Sequence, residues 1–178
     1  MTTTALSLDE IYDIANRALI SAGANEENAD AVAQTVTRAE RDGSHSHGLF
    51  RIPGYVASLK SGKVNGQANP KVDQRTAVVV HCDGDLAYAP IAHQRSLDTL
   101  AKAAQSQGIA TLSITRTHHF AALWPETETL ARQGLVAMTC VSYMPNVAPF
   151  GSREKLYGTN PISDRKSTRL NSSHLVIS

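Results

Sequence analysis

Four side chains that can bind an anion and move a proton lie in one short segment: Ser46, His47, Arg51 and Tyr55. An imidazole can donate a proton near neutral pH, and a guanidinium can hold a carboxylate through two parallel hydrogen bonds. His47, Arg51 and Tyr55 are spaced by four residues, so on a single helix they would share one face. The spacing indicates a site for a small carboxylated molecule, with Arg51 binding the carboxylate and His47 delivering a proton.

Pro53 interrupts this segment, and proline is tolerated in a helix only within the first turn. We therefore expect the helix to begin near Leu49 and to leave His47 in the preceding loop. From spacing alone, an ordinary polar helix start with a solvated Arg51 remains the alternative.

A second pair of histidines, His118 and His119, follows a predicted buried strand. Loops in that position commonly bind ligands in α/β proteins, although two ordinary surface histidines would give the same pattern. Together with His45 and His47 they could supply metal ligands, which would indicate a metal-dependent hydrolase. The spacing matches no specific metal motif and no acidic partner lies nearby, so we predict no metal site.

The composition describes a globular protein of 178 residues with 42% apolar and 19% charged residues. The formal net charge of +1 argues against a dedicated nucleic-acid-binding protein, which would carry a basic face. No apolar run approaches the length of a membrane span, and the N-terminus lacks the pattern of a secretion signal. Cys82 and Cys140 are far apart, as expected of reduced thiols in the cytoplasm.

The order of predicted elements indicates an α/β fold with a helical N-terminal segment. Ser7 and Glu10 have the spacing of a capping box at the start of one helix, and Asn25 can cap a second. After Val72 the pattern changes to strands alternating with helices, which favours a layered α/β domain. Strands are predicted at 77–83, 109–115 and 135–141, and helices at 90–107 and 123–133.

Residues 164–178 show no helical or strand periodicity and are rich in serine and threonine. The stretch looks like translated adapter sequence at the end of a truncated reading frame. We expect it to be an artefact, with a genuine flexible tail as the alternative.

Several motifs together resemble the malate/L-lactate dehydrogenase family, a group unrelated to the Rossmann-fold lactate and malate dehydrogenases. They are the segments 46–55, 119–120, 147–151 and 158–161. The segments 118–126 and 142–145 are more narrowly similar to the Δ1-piperideine-2-carboxylate/Δ1-pyrroline-2-carboxylate reductases, which reduce cyclic imino acids with NADPH. No Gly-x-Gly-x-x-Gly phosphate-binding motif occurs in the chain, so a Rossmann assignment has no support.

The resemblance implies a role for each matching residue. His47 matches the catalytic proton donor, with Ser46 beside it, and Arg51 matches the residue that holds the substrate carboxylate. Tyr55 would line the substrate pocket. The positions implied to lie near NADPH or NADH are His119, Ser142, Tyr143 and Thr159.

The family fold implies a mixed, largely antiparallel sheet that binds NAD(P), and a homodimer. The expected organisation is a helical substrate and dimer segment at 1–70, part of the NAD(P)-binding domain at 71–163, and the unrelated tail at 164–178. Family members are about twice as long, so we expect the parent protein to be an active cytoplasmic reductase and this chain alone to be an inactive fragment. A malate- or lactate-type 2-hydroxy acid dehydrogenase is the second interpretation, and a fragment that folds only with a partner is another.

Overall fold

The structure, a computed structural model, describes residues 5–118 and 121–166. The chain divides into two compact units, residues 1–122 and 123–178. The division falls between Ala122 and Leu123, so the predicted boundary at 70/71 lies inside the first unit.

The first unit opens with two capped helices, α1 (Leu8–Ser21) and α2 (Glu26–Arg41). The Ser7 hydroxyl accepts a hydrogen bond from the Glu10 amide, and the Glu10 carboxylate accepts one from the Ser7 amide, which confirms the predicted capping box. The Asn25 side chain accepts a hydrogen bond from the Asn28 amide at 2.9 Å, as predicted for the start of α2. Both caps satisfy amides that the first turn of a helix leaves without partners.

A third helix, α3 (Ile52–Lys60), packs with α1 and α2 around the main hydrophobic core. Two single-turn 3₁₀ helices, His45–His47 and Leu49–Arg51, connect α2 to α3. Burial of each large apolar side chain contributes roughly 1.5–3 kcal/mol. The largest fully buried members of this core are Tyr55, Tyr88, Leu19, Val32 and Val36.

The rest of the first unit is a three-stranded sheet with one crossover helix. The strands are β1 (Lys71–Gln74), β2 (Val79–Asp83) and β3 (Thr111–Thr115), in the order β1-β2-β3. β1 runs antiparallel to β2, and β2 runs parallel to β3 through α4 (Ala89–Gln107). Gly108 ends α4 with a φ of 81°, a left-handed conformation that favours glycine.

The second unit contains α5 (Trp124–Ala131) and an antiparallel pair of strands, β4 (Val136–Cys140) and β5 (Ile162–Lys166). The described strands thus form one parallel and two antiparallel pairings, which confirms the predicted mixed, largely antiparallel α/β fold class. β5 includes Asp164, Arg165 and Lys166, the first three residues of the stretch that the sequence analysis assigns to an unrelated tail. Within the described residues, no helix is long and apolar enough to cross a membrane.

Candidate active site

The two 3₁₀ helices place His47 and Arg51 on consecutive turns of the same connection. The His47 amide donates to the Ser44 carbonyl at 2.9 Å, and the Arg51 amide donates to the Gly48 carbonyl at 2.9 Å. Both side chains are partly buried, which keeps each of them accessible from one side. His47 precedes α3, as the position of Pro53 predicts, but it ends a 3₁₀ helix instead of lying in a loop, and α3 begins at Ile52 instead of near Leu49. The single helical face inferred from the spacing therefore does not exist.

Ser46 connects the two groups. Its hydroxyl oxygen lies 3.0 Å from Nδ1 of His47, and its backbone carbonyl accepts a hydrogen bond of 2.7 Å from Nε of Arg51. The hydroxyl can accept the Nδ1–H of the imidazole in both its charged and its neutral form, which would fix the tautomer. Proton transfer to a bound molecule would then fall to Nε2 of His47, and the Nη groups of Arg51 would form the carboxylate-binding pair.

Tyr55 differs from its predicted place. Its side chain has no exposed surface and belongs to the hydrophobic core, whereas the sequence analysis places it in the substrate pocket. The reason is that Tyr55 shares the buried face of α3 with Ile52 and Leu59, which packs into the core with α1 and α2. Burial raises the pKa of Tyr55, the Tyr88 phenol raises it further, and the Arg51 guanidinium opposes the rise. The phenol therefore stays neutral at physiological pH.

Tyr88 is a residue that the sequence analysis did not single out. Its ring meets the Tyr55 ring edge to face, with 4.9 Å between the centroids, and lies 6.0 Å from the His118 ring. Burial raises the pKa of Tyr88 to about 12. The His118 amide donates to the Ala87 carbonyl at 2.8 Å, and Tyr88 and His118 form an isolated parallel bridge, so Tyr88 joins α3 to the segment that follows β3. The available sequence signal was an aromatic residue two positions before Pro90, at the start of α4.

Three of the four residues predicted to contact the cofactor lie in the second unit of the structure. His119 lies outside the described residues, and Ser142, Tyr143 and Thr159 belong to the second unit. Within that unit the structure brings the last three together, because the Tyr143 amide donates to the Asn160 side-chain oxygen at 2.9 Å. Ser142 and Thr159 are exposed. A Cβ on Gly158 would overlap the Tyr143 carbonyl, so only glycine permits this approach of the two segments.

These residues have the chemistry that a nicotinamide cofactor requires. The exposed hydroxyls of Ser142 and Thr159 lie on two segments that the Tyr143–Asn160 hydrogen bond joins. Such hydroxyls can donate hydrogen bonds to a carboxamide group and accept them from it. Among residues 5–118 and 121–166, no group of three or more His, Cys, Asp or Glu side chains is arranged to hold a metal ion.

The sequence profile of the family described as malate/L-lactate dehydrogenase matches residues 6–164. The chain belongs to the malate/L-lactate dehydrogenase family. Membership of this family confirms the resemblance drawn from the motifs and replaces the metal-dependent hydrolase interpretation.

Relatives within the malate/L-lactate dehydrogenase family agree with this assignment. The Δ1-pyrroline-2-carboxylate/Δ1-piperideine-2-carboxylate reductase of Pseudomonas syringae pv. tomato is 45% identical over 161 residues, which cover 90% of this chain and 47% of that protein. The crystal structure of Δ1-piperideine-2-carboxylate reductase from the same organism matches 98% of this chain and 52% of its own with a TM-score of 0.89 and 42% identity. Malate dehydrogenase from Pyrococcus horikoshii OT3 has a TM-score of 0.88 at 27% identity, over 98% of this chain and 50% of its own. The chain therefore spans about half the length of these relatives.

Proposed function

We propose that this chain is part of an NAD(P)H-dependent reductase of cyclic imino acids, of the Δ1-pyrroline-2-carboxylate and Δ1-piperideine-2-carboxylate class. The observation that carries the proposal is the double engagement of Ser46, which holds His47 through its hydroxyl and Arg51 through its carbonyl. A proton donor and a carboxylate-binding cation are thereby held at fixed positions in one loop. The similarity to the Pseudomonas syringae reductase supports this substrate class over other carboxylates.

The chemistry follows from these two side chains. Arg51 binds the substrate carboxylate through its Nη groups and so orients the adjacent C=N carbon. Nε2 of His47 donates a proton to the imine nitrogen, which makes that carbon electrophilic. When bound, the nicotinamide cofactor supplies the hydride. Ser46 keeps the imidazole oriented during proton transfer by accepting its Nδ1–H.

The finer assignments belong to the same proposal. We assign cofactor contacts to Ser142, Tyr143, Thr159 and His119, with NADPH as the preferred cofactor and NADH as the alternative. Residues 1–70 then carry the substrate groups and residues 71–163 contribute to cofactor binding. The family resemblance also supports a cytoplasmic homodimer for the full-length protein.

A 2-hydroxy acid dehydrogenase of the malate or lactate type is the second candidate. The similarity to the Pyrococcus horikoshii malate dehydrogenase favours it, since His47 and Arg51 could equally protonate a keto oxygen and bind a 2-oxo acid.

The deciding experiment follows NADPH and NADH oxidation with Δ1-piperideine-2-carboxylate, oxaloacetate and pyruvate as separate substrates. We expect the full-length protein to turn over the imine with the highest kcat/KM. Preference for oxaloacetate or pyruvate would establish the second candidate instead, and no turnover of any of the three would contradict both. A fluorescence titration of the 178-residue chain with NADPH measures the cofactor affinity of this chain alone. We expect that affinity to be at least about a hundredfold weaker than the affinity of the full-length protein.

A further inference from the structure

We propose that Glu40 is a positioning residue of this site and that it acts on His47 and Arg51 through the backbone amide of Leu49. The inference rests on the proposed function, because it assigns Glu40 to the same reaction. Glu40 lies in the last turn of α2, outside the motif that carries His47 and Arg51.

The Glu40 carboxylate holds both ends of the segment that contains His47. One oxygen, Oε1, accepts a hydrogen bond of 2.8 Å from the Leu49 amide, and the other, Oε2, lies 2.5 Å from Nδ1 of His45. The Glu40 side chain is only 14% exposed, so the carboxylate is enclosed by the segment that it binds. His47 lies between these two attachment points in the chain.

The backbone at Gly48 lies directly against the Glu40 carboxylate. A Cβ added at Gly48 would overlap the Oε1 and Cδ atoms of Glu40. Gly48 itself is buried and joins the two 3₁₀ helices. A side chain at this position would displace the Glu40 carboxylate, so the contact between Glu40 and the loop depends on glycine at position 48.

Of the two contacts, the one to Leu49 is the more consequential. His45 is 77% exposed, and ion pairs in such surroundings contribute little. The Leu49 amide instead begins the 3₁₀ helix that ends at Arg51, where an amide has no partner within the helix. A charged acceptor makes a stronger hydrogen bond to such an amide than a neutral one does.

This contact reaches both functional side chains. A shift of Leu49 would move the turn in which the Arg51 amide bonds to the Gly48 carbonyl at 2.9 Å. Arg51 is in turn bonded to the carbonyl of Ser46, whose hydroxyl lies against His47. Loss of the Leu49 contact would therefore loosen the proton donor and the carboxylate-binding cation together.

The place of Glu40 in its helix gives independent support. Negative charge near a helix C-terminus is disfavoured by the helix dipole, and α2 ends at Arg41. An acidic side chain at this point needs local compensation, and the Leu49 amide and His45 provide it. Glu40 thus carries its charge at the unfavourable end of α2, and the Leu49 amide is one of the groups that offset it.

The test compares variants of the full-length protein in the imine reduction assay. Glu40→Ala removes both contacts and should lower kcat/KM at least about tenfold, with a higher substrate KM and an NADPH Kd within about twofold of wild type. Glu40→Gln keeps an oxygen that can accept the Leu49 amide and should restore most of the loss. His45→Ala removes only the exposed contact and should stay within about twofold. Glu27→Gln, which removes a surface ion pair with Arg95, is the matched control.

Each outcome decides the proposal. It is overturned if Glu40→Ala keeps wild-type kcat/KM, if Glu40→Gln loses as much as Glu40→Ala, or if His45→Ala reproduces the loss. If Glu40→Ala does not fold, Glu40→Asp replaces it. That variant keeps the charge but shortens the reach to Leu49, so it should show the same fall in kcat/KM, and wild-type kcat/KM in it would overturn the proposal.

A second measurement separates this proposal from the proposed function. Amide hydrogen exchange at Leu49 in the 178-residue chain reports the contact without any catalysis. We expect exchange at Leu49 to accelerate at least about tenfold in Glu40→Ala and to remain slow in Glu27→Gln. Unchanged exchange would overturn the role of Glu40, whereas inactivity of the wild-type enzyme towards the imine would overturn the proposed function alone.

Discussion

The phenol of Tyr88 donates a hydrogen bond of 2.6 Å to the backbone carbonyl of Tyr55. Both residues are buried, and the bond joins α3, which directly follows Arg51, to the start of α4. Tyr88 also pairs with His118 in an isolated parallel bridge. Tyr88 thus connects the helix next to the proposed substrate cation, through its phenol, with the segment that follows β3, through its backbone.

Tyr88→Phe should destabilise the first unit by about 0.5–1.5 kcal/mol, because the buried hydrogen bond from the phenol to the Tyr55 carbonyl would be lost. Urea unfolding followed by circular dichroism measures the change. Tyr157→Phe, at a side chain that is 58% exposed, provides the control and should change stability by less than about 0.5 kcal/mol. Equal effects of the two substitutions would show that the Tyr88 hydrogen bond contributes nothing specific.

His47→Ala in the full-length protein should lower kcat by about 10²- to 10⁴-fold, because the imine nitrogen would lose its proton donor. The NADPH Kd, measured by fluorescence titration, should stay within about twofold of wild type. His81→Ala is the matched control, since His81 lies on the sheet with Nε2 3.1 Å from the Thr115 hydroxyl. Retention of the wild-type rate in His47→Ala would remove His47 from the role of acid.

Arg51→Lys should raise the substrate KM about tenfold or more and leave the NADPH Kd unchanged. A lysine ammonium is a single point charge, so it cannot both donate to the Ser46 carbonyl and hold a carboxylate through two parallel bonds. Arg75→Lys, at a side chain that is 58% exposed, controls for loss of a guanidinium elsewhere. A selective loss of NADPH affinity in Arg51→Lys would mean that Arg51 contacts the cofactor.

Stability should fall at alkaline pH because of the contact between Tyr12 and Asp30. The Tyr12 phenol donates a hydrogen bond of 2.6 Å to the Asp30 carboxylate, and this bond raises the pKa of Tyr12 from 10.0 to about 12. The folded state thus retains a proton that the unfolded chain loses. The stabilising contribution is complete below pH 10 and is lost as the pH rises towards 12.

Urea unfolding between pH 8 and about 11.5 tests this dependence for the wild-type chain and Tyr12→Phe. The free energy of unfolding should decline more steeply in the wild type above pH 10. Asp30→Asn, which removes the charge that favours the neutral phenol, should flatten the decline in the same way. Parallel curves for all three proteins would exclude Tyr12 as the cause.

Local signals in the sequence predict much of the fold. The capping box of Ser7 and Glu10, the Asn25 cap and the helix end at Gly108 depend on chemistry between residues a few positions apart. The strand β1 was missed, because three of its four side chains are exposed and it shows no apolar alternation. It pairs with β2 through backbone hydrogen bonds, which leave no trace in the sequence pattern.

In the candidate site, too, some residues can be proposed from the sequence and others cannot. His47 and Arg51 stand out in the sequence because their residue types indicate the chemistry proposed for them. The burial of Tyr55 agrees with its helical spacing from Ile52 and Leu59, a local signal that the sequence analysis set aside in favour of a pocket role. Glu40 was missed because its carboxylate binds the backbone amide of Leu49, nine residues further along the chain, and a contact to a backbone amide leaves no pattern of side-chain types.

The proposed substrate groups and the contacts that hold them come from one continuous stretch, residues 40–51. Because these contacts span so few residues, the stretch can be exchanged as a cassette between members of the family. The positions of the proposed proton donor and cation are therefore set largely within this stretch, so a single substitution in it moves both groups at once and leaves the sheet unchanged.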